Sequence, residues 1–579
     1  MKILFEEYHY EYEMLKEILS DNFYIPVSGS NKKRKINYVG YYCSVGKNGE
    51  LKEPVMIFPK VFLKYDHANK KPKAFGYFDP EEIIDILEKE KLNTIHSKSY
   101  TPYLLYEMSV WLYRAIDKYR SHFQNENISE AGLLNPVLFK KDNHSLTELE
   151  IVEALRLFYH QNKDLFTFIT TKSNSQNHRI KWNKTINRKT PVLLDNRPVY
   201  FDVYSNKKKI NYDEELIRIF YSVLNSLNYK YGFNFELNFN YNIIKGSEYK
   251  RLEKRGYRYL KSTRYKYYND KMLRLNNFLT LYFERISNSR VGKGKEEYVL
   301  IKEFNRVFEE MIDNLIGDPA VGEIKKMKTQ PDNKQLDHVY REKGVFQNDD
   351  IYFIADSKYY TESSAIDEHS TFKQFTYARN VLSLNLDIFR SIPGNEKLRY
   401  QDEKTDGYHP TPNFFISAYY DENKKITDHG LIQDGSEFVK RSSHWCNRLF
   451  DRDSLFTLSY RINFMFVLQS FVRKKKSYNK IFRKETRELF RNEFIHYLDL
   501  TYAFYILKPK GDFQDAIDNH FKLLLGISFC PSFEKKELIM ALEKNEKHRE
   551  MNGSEIINEL ERNWWIIEIK LSKYEKGNN

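Results

Sequence analysis

The run Ile351–Ala355 is apolar throughout and leads directly into the charged tripeptide Asp356-Ser357-Lys358. A short apolar run after a polar turn is typical of a strand that other elements cover on both faces. Because side chains alternate between the faces of a strand, Asp356 and Lys358 point one way and Ser357 the other. A carboxylate and an ammonium at the end of a buried strand need polar partners. The feature predicts an α/β fold whose central strand ends in a charged pair.

A second acid, Asp337, lies upstream of this strand in a short apolar setting that a polar turn follows. If the two segments are strands of one hairpin, Asp337, Asp356 and Lys358 converge at one end of a sheet. Mg²⁺ takes oxygen ligands, so both carboxylates and the backbone carbonyl of Ser357 form a candidate metal site. Glu309, on a helix predicted before both strands, is a further candidate ligand for this metal or a second one. Lys358 would orient the attacking water and offset negative charge building on a phosphate.

The alternative interpretation is a structural salt bridge at a strand end. Acid-x-Lys tripeptides are expected by chance in a chain with 30% charged residues. The apolar run, the upstream acid and the acidic helix together favour the metal site. His338 neighbours Asp337 but is expected to face away from it on a strand, and we interpret it as structural.

Length and local patterns predict several domains, because 579 residues exceed what a single core accommodates. A helix is predicted over Tyr298–Ile316, another over Thr371–Leu384 and a strand over Asn413–Tyr420, which completes an α/β core. The predicted regions are a small mixed β domain at 1–95, a largely helical region at 96–290 with a basic-aromatic segment, the α/β core at 291–425, and a helical C-terminal region at 426–579.

The basic-aromatic segment, Tyr249–Arg274, interleaves lysines and arginines with tyrosines. The chain has a net charge of +13 and a pI of about 9.0, which favours polyanions such as nucleic acid. Cations can neutralise phosphates and tyrosines can stack on bases. A solvated basic helix face is the alternative, and an AT-rich genome would also raise the lysine content. The candidates for DNA binding are Lys254, Arg255, Arg258, Lys261, Arg264 and Lys266.

The sequence argues against several classes of protein. Its three cysteines lie far apart without metal-ligand spacing, so neither disulfides nor structural zinc is expected, and a reducing, cytoplasmic location fits. The longest apolar stretch, 462–472, contains polar residues and is too short to span a bilayer, so no membrane association is expected. The acidic first residues predict no signal peptide. The sequence contains no Walker A motif, so nucleotide binding by a P-loop is not expected.

The acids, the lysine and a glutamine further along the chain carry a family resemblance. Glu309, Asp337, Asp356-Ser357-Lys358 and Gln374 resemble the PD-(D/E)xK nuclease core. Within that superfamily the chain resembles LlaJI-type restriction endonucleases, whose nuclease subunit is similar to McrC. Phe308-Glu309 matches the helix that ends in Phe-Glu before the acid and D-x-K strands of McrC-like chains. Further supporting stretches are YVGYY at 38–42, MIFPKVF at 56–62, IKWNKTI at 180–186 and VLIKEFNRVFEEMI at 299–312.

The resemblance implies a fold, an activity and partners. Residues 291–425 would be a PD-(D/E)xK core, a mixed sheet flanked by helices, accompanied by an N-terminal β-containing domain and largely helical flanking regions. The activity would be that of an endodeoxyribonuclease in a type II/IV-like restriction system against phage DNA, dependent on Mg²⁺ or alternatively Mn²⁺. Its partners would be double-stranded DNA and an McrB-like AAA+ GTPase, on which the N-terminal part docks.

The same resemblance implies residue roles. Asp337, Asp356 and Lys358 would be catalytic, with Glu309 and Gln374 assisting them. The metal ligands would be Asp337, Asp356, Ser357 and Glu309. Two other functions stay open on the residues alone. One is a non-catalytic subunit on a nuclease-like fold that binds DNA or stimulates a motor, and the other is an autonomous nuclease for damaged or branched DNA.

Overall fold

The fold is described from a computed structural model of the chain. The residues that it describes are 1–66, 71–85, 102–125, 137–140, 146–173, 179–328, 336–346, 350–360, 368–390, 407–421, 423–435, 438–442, 447–473, 476–532, 535–548 and 550–574.

Helices and strands alternate along the described chain and form a mixed α/β protein with several sheets. The helices are α1 Tyr12–Ile18, α2 Pro102–Asn125, α3 Glu148–Gln161, α4 Trp182–Arg188, α5 Glu215–Tyr231, α6 Gly246–Thr263, α7 Asp270–Arg290, α8 Phe304–Ile316, α9 Gly322–Lys328, α10 Glu368–Arg390, α11 Phe464–Val472, α12 Lys476–Thr501, α13 Phe513–Leu524, α14 Gly553–Leu560 and α15 Leu571–Tyr574. The strands are β1 Lys2–Phe5, β2 His9–Glu11, β3 Tyr24–Val27, β4 Ser30–Ile36, β5 Val39–Cys43, β6 Val55–Phe58, β7 Leu63–Asp66, β8 Lys71–Ala74, β9 Val137–Lys140, β10 Phe168–Ser173, β11 Val192–Leu194, β12 Arg197–Val199, β13 Ser205–Ile210, β14 Glu297–Ile301, β15 His338–Lys343, β16 Asp350–Lys358, β17 Asn413–Tyr419, β18 Ile432–Gln433, β19 Val439–Arg441, β20 Phe456–Asn463, β21 Tyr502–Pro509, β22 Ser528–Ser532, β23 Glu537–Glu543 and β24 Trp564–Ile569.

The N-terminal sheet has the strand order β1-β6-β5-β14-β9. It therefore combines strands from residues 1–95 with β9 and β14, which lie much further along the chain. β14 runs antiparallel to β5, and the two approach closely at Gly40, where a Cβ would lie 2.2 Å from the carbonyl oxygen of Val299. The predicted helix over Tyr298–Ile316 is wrong in its first turn. Residues 298–301 belong to β14, and the helix begins at Phe304.

The sheet that carries the candidate site has the order β15-β16-β17-β20-β18, with β19 also paired to β20. β15 and β16 are antiparallel, which confirms the predicted hairpin, and β16, β17 and β20 are parallel. Side chains of α10 pack with Val339 and Ile354 on one face. The other face lies against α8 and α12, where Phe490 stacks on Phe414 with ring centroids 4.8 Å apart. Helices on both faces explain why β16 is apolar on both sides.

The C-terminal region differs from the prediction of a helical region at 426–579. It contributes β20 to the central sheet and forms a second, four-stranded sheet in the order β22-β23-β21-β24. Helix α12 connects these two sheets, while α13 and α14 pack with the second one. The described part of residues 96–290 is rich in helices, and it also contains β9, the antiparallel pair β10 and β13, and the hairpin β11–β12. Among the described residues, none of the helices has the length and apolar character needed to cross a membrane.

Candidate active site

The end of β16 carries the charged pair that the sequence predicted. The Nζ of Lys358 lies 2.6 Å from Oδ2 of Asp356, and both side chains are largely buried. Ser357 points to the opposite face, as its interactions below show. Burial disfavours the charge on Lys358, but the Asp356 carboxylate outweighs burial, so the pKa of Lys358 is raised. Lys358 therefore keeps its proton and its positive charge at the buried end of β16.

Asp337 precedes β15 and lies beside the end of β16. Its Oδ2 accepts a hydrogen bond from the backbone N–H of Ser357 at 3.2 Å. Burial, the negative charges of Asp356 and Glu309 and a hydrogen bond shared with Asp356 hold the pKa of Asp337 well above its usual range. The hairpin thus brings Asp337, Asp356 and Lys358 together, as predicted.

Glu309 reaches the same cluster from α8. Its Oε1 accepts a hydrogen bond from Asn305 Nδ2 at 3.2 Å. Burial raises the pKa of Glu309 to about 7, and the negative charge of Asp356 adds to this effect. The apolar stripe of α8, which includes Phe304, Phe308 and Met311, is buried and fixes the side of the helix that faces the sheet. Glu309 is therefore a buried carboxyl group close enough to Asp356 and Lys358 to interact with their charges.

The site groups three acidic side chains, those of Glu309, Asp337 and Asp356, and such a group is suited to a divalent cation. The negative charge of Asp356 helps to raise the pKa of both Glu309 and Asp337, and Lys358 is the cation paired to Asp356. Within the described ranges, no group of three or more His, Cys, Asp or Glu side chains has the placement of a complete metal cage. Mg²⁺ commonly binds through one or two carboxylates and keeps its other waters. Asp337 and Asp356 are the two carboxylates here that could serve as such ligands.

A buried polar chain lies behind the site, on the Ser357 face of β16. His338 Nε2 lies 2.5 Å from Ser357 Oγ, and its Nδ1 lies 3.3 Å from Oδ1 of Asp313. Asp313 also pairs with Lys328. Burial lowers the pKa of the fully buried His338, so its ring is neutral. The prediction that His338 faces away from Asp337 is confirmed, and Asp313, which the sequence reasoning missed, lies one helical turn after Glu309 on α8.

Comparison with known proteins identifies the family of this chain. The family model for the LlaJI restriction endonuclease matches residues 81–371, which is half of the chain. The chain belongs to the LlaJI restriction endonuclease family. The matched part of this LlaJI family member contains Glu309, Asp337 and the tripeptide Asp356-Ser357-Lys358, and it ends just before Gln374.

Curated proteins and solved structures add little to the assignment of this LlaJI family member. No curated protein matches the chain significantly. Among solved structures it is similar to a refined half-complex from a tetradecameric assembly of Thermococcus gammatolerans McrB AAA+ hexamers with bound McrC. The identity is 13% and the TM-score 0.27, and the match covers 84% of this chain and 99% of the other. A TM-score of this size carries no argument about the fold or the function.

Gln374 lies on α10 and is hydrogen-bonded to Asn413, the first residue of β17. Its Nε2 donates to Oδ1 of Asn413 at 2.6 Å, and Nδ2 of Asn413 donates to the backbone carbonyl of Gln374 at 3.3 Å. Asn413 is the register partner of Ile354, two residues before Asp356. Gln374 therefore ties α10 to the sheet close to the carboxylates, and its amide is engaged with Asn413.

The six candidates for DNA binding lie on α6 and the 3₁₀ turn that follows it, Arg264–Lys266. All six are exposed, and none makes an ion pair within the chain as far as the structure describes it. The buried side of α6 includes Leu260 and packs on α7. Tyr265 and Tyr268, just after the helix, are 74% and 91% exposed. The structure thus keeps a basic helix face and two exposed aromatic rings together, apart from the central sheet.

Proposed function

We propose that this chain is the metal-dependent DNA endonuclease subunit of an McrBC/LlaJI-like restriction system that hydrolyses phosphodiester bonds in phage DNA. The observation that carries the proposal is the contact of Asp337 with both Asp356 and the Ser357 backbone, beside the ion pair of Lys358. Membership of the LlaJI restriction endonuclease family supports the same activity. We place the protein in the cytoplasm, where such a system meets foreign DNA.

The order of elements supports a PD-(D/E)xK core. Helix α8 is followed by the short helix α9, by the antiparallel hairpin β15–β16, by α10, and then by β17, which lies parallel to β16. This arrangement is a mixed sheet with helices on both faces, and the acids and the lysine stand where such a core carries them. The fold proposal therefore rests on topology and on site residues together.

In this proposal Asp337, Asp356 and the backbone carbonyl of Ser357 would hold Mg²⁺ or Mn²⁺, with Glu309 as an added ligand. The bound cation would supply activation of water and stabilisation of charge on the phosphate. Lys358, charged and fixed beside Asp356, orients the attacking water and offsets the negative charge of the reacting phosphate. Gln374 assists by holding α10 against the sheet beside these groups.

The substrate would be double-stranded DNA, bound in part by the basic face of α6. The exposed lysines and arginines of this face can neutralise phosphates, and this supplies affinity rather than sequence specificity. The second partner would be an McrB-like AAA+ GTPase that docks on the region around residues 1–95. This part of the proposal follows from the family resemblance, and the absence of a Walker A motif from the sequence agrees with a separate motor.

The proposal is tested with Asp356→Ala and Lys358→Ala in the full chain. Both variants, alone and co-purified with an McrB-like AAA+ GTPase, are incubated with plasmid DNA in Mg²⁺ or Mn²⁺. We expect each variant to lose at least about 100-fold in cleavage rate, because each removes charge stabilisation in the transition state. Lys189→Ala is the matched control, since Lys189 forms an ion pair of 3.0 Å with Asp202 outside the site. Cleavage that persists in both site variants would disprove the assignment.

A second candidate function is a non-catalytic subunit that binds DNA or stimulates a motor. The observation that favours it is the exposed basic face of α6, which would bind DNA whether or not the chain cleaves it. The same assay separates the two functions. DNA binding without cleavage in either metal, with the GTPase present, would support the non-catalytic subunit.

A further inference from the structure

The residue after Lys358 connects the candidate active site to the N-terminal sheet. The hydroxyl of Tyr359 donates a hydrogen bond of 2.5 Å to Oε2 of Glu6, which lies just after β1. The backbone N–H of Lys60 donates to the same Tyr359 oxygen at 3.0 Å and to Glu6 Oε2 at 3.1 Å. Three residues from distant parts of the sequence therefore share one closed set of hydrogen bonds.

These hydrogen bonds are buried. Glu6 is 5% exposed and Tyr359 6% exposed. Burial raises the pKa of both groups, so the hydroxyl keeps its proton and remains the donor. A carboxyl group removed from water in this way depends on its protein partners. Loss of the Tyr359 hydroxyl would leave Glu6 with the Lys60 amide as its remaining partner in this set.

The ring of Tyr359 also contacts the helix that carries Glu309. Its centroid lies 5.5 Å from that of Phe304 and 6.2 Å from that of Phe308, the residue before Glu309. Phe62 lies two residues after Lys60. Its ring centroid is 5.1 Å from that of Tyr420, which follows β17. The segment around Lys60 thus packs where β16, β17 and α8 meet.

We propose that Glu6, Lys60 and Tyr359 form a positioning junction through which the N-terminal sheet sets the placement of Lys358. The inference rests on the proposed function, in which Lys358 is catalytic. Lys358 is one residue from the hydroxyl that the N-terminal sheet holds, so a displacement of β1 or of the Lys60 segment is transmitted directly to it. Tyr359 is a positioning residue in this scheme and does not contact the DNA.

The test compares Tyr359→Phe with Tyr41→Phe in the full chain, assayed with its AAA+ GTPase and Mg²⁺ on plasmid DNA. Tyr41 is the matched control because its buried hydroxyl likewise donates to a carboxylate, Glu297, at 3.1 Å, but within the N-terminal sheet and α7 region. Tyr359→Phe keeps the ring contacts and removes only the hydroxyl. We expect kcat to fall about tenfold with KM for DNA unchanged, as for a misplaced catalytic group, whereas Tyr41→Phe keeps both constants.

Glu6→Gln is the second variant, and it keeps the shape of the Glu6 side chain while weakening the hydrogen bond from Tyr359. We expect it to lower kcat like Tyr359→Phe, and the double variant to be no slower than the slower single variant, because the residues act as one unit. Unchanged kcat in Tyr359→Phe, or equal losses in Tyr359→Phe and Tyr41→Phe, would overturn the junction. If Asp356→Ala and Lys358→Ala both still cleave DNA, the proposed function itself fails, and the junction with it.

Discussion

Ser357 contacts two different residues, one through its backbone and one through its side chain. Its backbone N–H holds Asp337, whereas its hydroxyl lies against His338 on the other face. The backbone contribution does not depend on the side chain, but the hydroxyl is the partner of a fully buried imidazole. Within this one residue, the main chain therefore contacts Asp337 and the side chain contacts His338.

We predict that Ser357→Ala retains most of the cleavage activity that Asp356→Ala loses. The free energy of unfolding should fall by about 1–2 kcal/mol, because His338 Nε2 loses its buried partner. Cleavage kinetics and urea unfolding of the two variants measure the two effects separately. A loss of cleavage as deep in Ser357→Ala as in Asp356→Ala would show that the hydroxyl acts directly on the substrate.

His409 is a second buried imidazole, and its acceptor role requires the neutral ring. Its Nε2 accepts hydrogen bonds from the backbone N–H groups of Val345 at 3.1 Å and Phe346 at 3.3 Å. Its Nδ1 donates to the carbonyl of Pro410 at 3.0 Å. Burial lowers the pKa of His409 to about 4, and the charge of Arg491 acts in the same direction. Protonation would convert the acceptor nitrogen into a donor facing two other donors.

We predict a pH-dependent stability from His409. Because its folded-state pKa lies below the ordinary value, the unfolded chain binds the proton first. The stabilisation is complete above about pH 6.5 and is lost as the pH falls toward 4, by roughly 3 kcal/mol. Urea unfolding at pH 7.5 and 4.5 should show a smaller difference in His409→Gln, whose amide oxygen replaces the acceptor without titrating. Equal pH dependence in both proteins would contradict this role.

The elements that the sequence predicted well are those whose pattern is local. The hairpin β15–β16, the helix α10 and the strand β17 were expected from apolar runs and their boundaries, and the opposite orientations of Asp356 and Ser357 followed from strand alternation. The helix predicted from Tyr298 failed because Tyr298–Ile301 is drawn into β14 by pairing with β5. That pairing joins residues more than 250 positions apart, so it cannot be inferred from the pattern of neighbouring residues.

The basic face of α6 gives an element-scale prediction about DNA. A variant with Lys254→Gln, Arg255→Gln and Arg258→Gln removes three exposed cations on one side of the helix. We expect weaker binding to duplex DNA. The salt dependence of log K should become shallower by about 0.9 for each phosphate that the variant no longer neutralises. Fluorescence anisotropy titrations at several salt concentrations measure both effects.

The matched control for α6 replaces the exposed Lys207, Lys208 and Lys209 of β13 with Gln. It removes the same charge from another surface. If both triple variants lose affinity equally, then net charge and not the α6 face accounts for binding. If only the α6 variant changes, the helix lies along the DNA backbone.

At the scale of the molecule, the C-terminal region completes the sheet that carries the site. β20 pairs with β17 along Phe414–Tyr419, and every residue of β17 is buried. Sequence reasoning predicted a helical region here because β20 and α11 follow each other in one apolar stretch without a turn signal. A continuous apolar run does not by itself distinguish a buried strand from a buried helix.

Helix α12 contacts α8 and the turn after β15 through arginines spaced one turn apart. Arg483 donates to the carbonyls of Asn314 and Leu315 at the end of α8, and Arg487 donates to that of Ile316 at 2.6 Å. Arg491 donates to the carbonyl of Gly344, in the turn after β15, at 2.6 Å. Carbonyls at a helix C-terminus lack partners within the helix, so these side chains satisfy groups that would otherwise be buried alone.

We therefore predict that residues 1–425 do not form a stable nuclease without the remainder of the chain. Truncation after residue 425 exposes the edge of β17 and removes the partners of the α8 carbonyls. The truncated chain should lack the cooperative urea unfolding and the near-ultraviolet circular dichroism of the full chain. Arg487→Met tests the same dependence in the full chain, where Asp318 would lose its buried partner and the free energy of unfolding should fall by about 3 kcal/mol. A truncated chain that unfolds cooperatively and cleaves DNA would instead make 426–579 an independent appendage, and the arginines of α12 would then serve only to dock it.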